Sequence, residues 1–214
     1  MPRRQVLTDR QRSSLLDLPT DDAALLHHYT LADEDLEQIR RRRQSHNRLG
    51  FALQLCAFRY PGRLLSPGEV IPIEVARFIA AQLGERADDL CCYAETDVTR
   101  RRHLVDLRDI YGYKMFTGRG ARDLKVWLEA AAETARSNED LARRFIKQCR
   151  ATQTILPGIT VIERLCADTL VGAERRVDAR IAGRLNDDMR TRLDALLTED
   201  AGGSVTRFVW LRQF

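Results

Sequence analysis

The segment that most constrains the fold is LGFALQLCAF, residues 49–58, because apolar side chains occupy two faces of a single helix. Leu49, Leu53, Cys56, Ala57 and Tyr60 recur at i, i+4, i+7, i+8 and i+11, while Phe51, Leu55 and Phe58 form a second stripe. A helix apolar on both sides has to lie at the centre of a helical domain, with neighbours packed about it. Only the polar turn ahead of it, Ser45 to Arg48, is left to face outward. The stretch RYPGRLLSPG that follows is a chain of turn formers and ends the helix.

Elsewhere apolar residues again recur at three and four, and β-type alternation is nearly absent, so the spacing predicts an all-α protein. Thr8 is a suitable N-cap with Gln11 completing a capping box, and that helix stops at Pro19. A short helix is expected over 21–28, with His27 and His28 at its end. A third is capped and acid-primed by Thr30 to Asp35 and ends in Arg40 to Arg43, with Ser45 or Asn47 opening the next. Pro72 opens IPIEVARFIAAQLG and Gly84 closes it. Thr99, Asp123, Asn138 and Pro157 open further helices, and the last spans about 177–197. Residues 1–87 are thus expected to form a first helical domain, 88–98 a linker, 99–200 a second helical domain, and 201–214 an extended tail leading to further domains.

Neither composition nor motifs point to catalysis. The longest apolar runs fall well short of the roughly 18 residues needed to span a bilayer, and MPRRQVLTDRQR has no apolar signal region, so a cytoplasmic protein is expected. Five cysteines (Cys56, Cys91, Cys92, Cys149, Cys166) include no CxxC pair and read as small core residues. A bridge between the adjacent Cys91 and Cys92 would be strained. TGRGAR lacks the Lys-Ser/Thr of a phosphate loop, and no carboxylate cluster suits a metal site.

Charge is informative through its distribution. The net +4 conceals alternating blocks: residues 40–64 carry +7 with no acid, 99–125 carry +5 and 143–164 carry +4, separated by acidic stretches. Of 35 basic residues 32 are Arg, which suits bidentate contact with phosphate and guanine, although codon bias in a GC-rich genome would also produce this excess. The run IRRRRQSHNRLG has the layout of a helix-turn-helix: Arg40, Arg41, Arg42 and Arg43 to neutralise phosphate, and Ser45, His46, Asn47 and Arg48 at the next helix start to meet base edges. The competing reading is a solvated helix end whose cations offset the dipole, and the absence of acids through Arg59 and Arg63 favours DNA. A second basic patch comprises Arg100, Arg101, Arg102 and His103, followed by Lys114, Arg119 and Arg122. Tyr111, Tyr113 and Phe116 lie among these cations, and either stack on bases or belong to the core. A third repeats the helix-turn-helix layout with Arg150, Gln153 and Thr154 in the turn.

The segments LTDRQRSSLLDLPTD, YTLADEDLEQIRRRRQSHNRLGFALQLCAFRYPGRLL, IPIEVARFIAAQLG, RRRHLVDLRDIYGY and LPGITVIERL resemble the N-terminal region of transposases of the Tn-three family. The likeness covers nearly the whole chain. It implies a piece of a replicative transposase on the order of a thousand residues long. In that family the region binds double-stranded DNA, the transposon's terminal inverted repeats, through tandem helix-turn-helix-like domains. The metal-dependent Asp-Asp-Glu catalytic site lies far downstream. No position here matches that motif, so no catalytic residue is carried over, no cofactor is expected for this segment, and Mg²⁺ belongs to the downstream domain. The full-length protein would associate with the nucleoid when bound and could act as a homodimer. The alternative is a helical protein-interaction or dimerisation module of the transposase without direct base readout.

Overall fold

A computed structural model describes residues 6–93, 97–197 and Thr206, and within these the chain is all-α. The helices are α1 (Asp9–Leu16), α2 (Asp22–Tyr29), α3 (Asp33–Arg40), α4 (Ser45–Arg59), α5 (Ile73–Leu83), α6 (Asp97–Tyr111), α7 (Gly118–Ala132), α8 (Asn138–Ala151), α9 (Ile159–Ala182) and α10 (Asp187–Leu197). A 3-10 helix (Ala87–Cys92) lies between α5 and α6. Two-residue strands β1 (Lys114–Met115) and β2 (Thr154–Ile155) pair in parallel, Lys114 opposite Thr154. The chain groups into two units, residues 1–170 and 171–214. The extended tail expected over 201–214 lies outside the described residues except for Thr206.

Several helix ends follow the local chemistry. Thr8 and Gln11 form the reciprocal capping box of α1, Asp21 caps α2 through Ala24 N–H at 2.9 Å, and Gly84 ends α5 at φ +66°. At α3 the cap comes from within Thr30–Asp35 as expected, but from its last residue. Thr30 turns back to the Leu26 carbonyl at 2.6 Å, and Asp35 accepts the Ala32 N–H at 2.8 Å instead. Helix α7 starts at Gly118 rather than Asp123, because Ala121 belongs to the same buried stripe as Leu124, Leu128 and Ala132. The second unit also departs from expectation, with the helix break at Gly183–Asn186. The Gly183 N–H bonds to the Ala179 carbonyl at 2.9 Å, and the Asn186 side chain accepts from Met189 N–H at 2.8 Å to start α10.

In the first unit every residue of α4 from Leu49 to Phe58 is buried, with α2, α3, α5, α6 and the 3-10 helix around it. One buried cluster runs from Leu18 through Leu25, Phe51 and Phe58 to Leu107 and Ile155. It therefore crosses the expected linker at 88–98, which falls inside this unit; residues 94–96 lie outside the described set. The crossing is made at Gly50. A Cβ there would sit 2.0 Å from the Tyr93 ring, so the missing side chain is what lets Tyr93 lie flat against α4. Tyr93 in turn stacks on His103, ring centres 5.6 Å apart. Helix α1 is fastened by Glu163, which is buried and accepts the Leu7 N–H at 3.2 Å and two Arg12 bonds at 2.9 Å. Three cysteines, Cys56, Cys149 and Cys166, are core residues as expected. Cys91 and Cys92 are exposed instead, because no residue of the 3-10 helix is buried.

Helices α3 and α4 are locked by a bidentate pair. Arg59 donates to both Asp35 oxygens at 2.8 Å, and Asp35 is only 2% exposed. Asp35→Ala would strand the guanidinium and uncap α3, and urea unfolding is expected to show a loss of about 3 kcal/mol. At Gly50 the two opposing effects can be separated. Alanine gains about 1 kcal/mol of helix propensity, but its clash with Tyr93 makes Gly50→Ala destabilising in the wild-type chain. In a Tyr93→Ala background the same substitution should stabilise.

Candidate nucleic-acid interface

The acid-free stretch 40–64 acquires its acids from elsewhere in the fold. Arg42 meets Asp106 of α6 at 2.8 Å and lies over the Phe51 ring, 4.1 Å from its centre. Arg48 donates to Glu85 at 2.6 Å and to the carbonyls of Arg42 and Arg43 at 3.2 Å each, so it holds the α3–α4 turn closed from within. Arg59 is bound to Asp35. Arg63 grips Glu69 at 2.9 and 2.5 Å and the Leu16 carbonyl at 2.8 Å. These four guanidiniums are occupied in cross-linking the fold.

The first turn of α4 is not the outward-facing turn expected. Ser45, His46, Asn47 and Arg48 are all half-buried, because the acidic segment 85–89 packs against that turn. Ser45 donates to Asp89 at 2.5 Å, and Asn47 donates to Gln44 at 3.1 Å. Arg40, Arg41 and Arg43 are exposed. Arg41 has a solvated partner in Glu37 at 3.3 Å, a weak pairing on an open surface. Arg40 and Arg43 have no acidic partner among the described residues.

In the second patch, Arg100 is half-buried and donates to the Leu65 carbonyl at 2.5 Å, whereas Arg101 and Arg102 are exposed. His103 is buried at 5% exposure. Its Nδ1 lies 3.1 Å from the Tyr93 hydroxyl, and the Phe51 ring meets it edge-on. Burial first, and the nearby Arg42 second, push its pKa down to about 4. His103 is therefore a neutral core group rather than a DNA contact. Tyr113 and Phe116 pack edge-on against the core rings of Phe58 and Phe145, and Tyr111 lies beside Arg59; all three are half-buried.

Lys114, Arg119 and Arg122 are exposed. Arg150 is half-buried over Tyr60, 4.9 Å from the ring centre, and Tyr60 also stacks on His28 at 4.0 Å. Gln153 is exposed at φ +51° and donates to the Tyr111 carbonyl at 3.2 Å. Thr154 is buried in β2 with its hydroxyl 3.1 Å from that of Thr152, so it is not a surface contact.

Two groupings emerge that the linear order does not show. The Arg42–Asp106 pair ties the α3–α4 turn to α6, and Arg102 lies one helical turn before Asp106 on the same face of that helix. The β1–β2 pairing, with Lys114 N–H on the Gln153 carbonyl at 2.8 Å, joins Lys114 to the Arg150–Gln153 turn. The residues missed from sequence were the acids: Asp35, Glu69, Glu85 and Asp106. Only Glu69 lies close to its partner in the chain.

The state of His103 gives a pH dependence with a definite sign. Its folded value, about 4, lies below the ordinary 6.5, so the unfolded chain takes up a proton first as pH falls. The stability it contributes is fully present above about pH 6.5 and is lost as pH falls toward 4. Urea midpoints at pH 7.5 and 5 should differ more for the wild type than for His103→Phe.

The family model described as a domain of unknown function, DUF4158, matches residues 6–169. The chain is 39% identical over 213 residues to the transposase for transposon Tn3926 of Escherichia coli, and 38% over 216 residues to that for Tn501 of Pseudomonas aeruginosa. In both cases all of this chain and 22% of the relative are covered. The transposase for Tn1546 of Enterococcus faecium is 28% identical over 216 residues, covering 98% of this chain and 22% of the relative. The chain thus spans about a fifth of the length of the curated relatives it matches. It belongs to the DUF4158 family, and across its whole length it groups with transposases of the Tn-three family.

Proposed function

We propose that this chain is the DNA-binding part of a transposase and that it grips the transposon's terminal inverted repeat with the cations its fold leaves unpaired. The observation that carries this reading is that Arg40, Arg43 and Arg102 are exposed and without acidic partners among the described residues, on the two elements that the Arg42–Asp106 pair joins. A cation already held by a carboxylate releases little counterion on meeting phosphate; an unpaired one releases it fully. Arg41, Arg101, Lys114, Arg119 and Arg122 extend the basic surface. Base reading falls to side chains with amide or imidazole edges: the exposed Gln153 in one turn, and the part of His46 and Asn47 that segment 85–89 leaves uncovered at the start of α4. Asn and Gln match the adenine edge. Strand cleavage and joining, with Mg²⁺, would be the work of the rest of a protein as long as the relatives.

A second reading, a protein-interaction module, has one observation in its favour. Val70 is 91% exposed and Ile73 46% exposed, and both line a cleft of about 710 Å³. The two readings separate in a fluorescence-anisotropy titration against an inverted-repeat duplex and a scrambled one. The DNA reading expects preference for the repeat and loss of binding on Arg40→Ala/Arg43→Ala/Arg102→Ala with an unchanged urea midpoint. The log–log salt slope of residual binding should flatten by about 0.9 for each phosphate contact removed. Arg48→Ala and Arg63→Ala should instead lower stability. Equal affinity for both duplexes, or a triple variant that binds like wild type, would sink the proposal.

A further inference from the structure

Cys91 and Cys92 close the 3-10 helix Ala87–Cys92, both exposed and not disulfide-bonded, with sulfurs 3.6 Å apart. A disulfide needs about 2.05 Å, and bridging adjacent residues strains the peptide between them. Two bonds of about 2.3 Å to one pyramidal trivalent centre, at roughly 100° to each other, by contrast span about 3.5 Å. The sulfurs therefore stand at the bite of a single soft atom. Among the described residues no group of three or more His, Cys, Asp or Glu is placed to hold a metal ion. A centre that carries one organic substituent and needs only two thiolates is served.

The surroundings support this. Asp89 is tied to Ser45 at 2.5 Å, and Tyr93 is lodged against Gly50, so both ends of the dithiol segment are held. Cys91 also lines a cleft of about 710 Å³ whose walls combine Leu53, Val70 and Leu90 with Glu69, Asp88 and Arg100, so apolar surface lies within it beside the sulfur.

We propose that Cys91 and Cys92 form a vicinal-dithiol site for monosubstituted trivalent arsenicals, with the organic group directed into the cleft. In the binding step the arsenic–oxygen bond of R–As=O is exchanged for two arsenic–sulfur bonds. The two thiol protons leave with the oxygen as one water, and nothing is oxidised or reduced. The ring formed is one atom larger than that of a vicinal disulfide, which spares the intervening peptide.

The test uses the native chain, in which Cys56, Cys149 and Cys166 are each 0% exposed and only Cys91 and Cys92 should react quickly with a thiol-specific disulfide reagent. One equivalent of phenylarsine oxide is expected to block both thiols and add one arsenical by native mass spectrometry. A small dithiol should reverse the block where an equal excess of monothiol does not. Cys91→Ser and Cys92→Ser should each keep one reactive thiol and lose affinity by about a hundredfold, the cost of a lost chelate. A requirement for two equivalents, or single-serine variants that bind as tightly as wild type, would overturn the proposal. Methylarsine oxide should bind about tenfold more weakly than the phenyl compound, having less apolar surface to bury; equal affinity would remove the cleft from the site.

Discussion

Enclosing α4 on every side is the constraint on which the rest of the first unit depends. A helix buried from Leu49 to Phe58 cannot lie in a DNA groove along its length, so anything it offers a partner comes from its ends. It also dictates what its neighbours must be. Gly50 is bare because Tyr93 lies there, His103 is neutral because it completes the same layer against Phe51, and Asp35 is buried because Arg59 at the far end of α4 needs a counter-charge.

The same burial explains why charged residues so near one another have such different roles. Arg42, Arg48, Arg59 and Arg63 lie against covered surface, where an unpaired cation would be costly, and each has found a carboxylate. Arg40 and Arg43 are exposed and have no carboxylate partner among the described residues. The division is made by position around the turn: Arg42 reaches the Phe51 ring and Asp106, and its two neighbours cannot.

How much of this was legible in the sequence depends on distance along the chain. The helices, the Thr8–Gln11 box, the Gly84 stop and the central place of α4 all rest on contacts within a few residues, and these were readable. The helix start at Gly118 was obscured by glycines that usually mark a loop; Ala121, in register with Leu124 and Leu128, was the available signal. The candidate site was less legible, because counting charge over 40–64 cannot see Asp106 or Glu85 arriving from other helices.

By itself, the sequence determined an all-α chain built round one apolar helix, with its cations gathered into blocks, since helical periodicity and local charge are properties of neighbouring residues. Only the tertiary structure decided which of those cations are left over. Pairing between Arg42 and Asp106, or Arg59 and Asp35, exists only once distant helices are packed together. That packing drew Arg42, Arg48, Arg59 and Arg63 of the first basic block into ion pairs and left Arg40 and Arg43 exposed without acidic partners among the described residues.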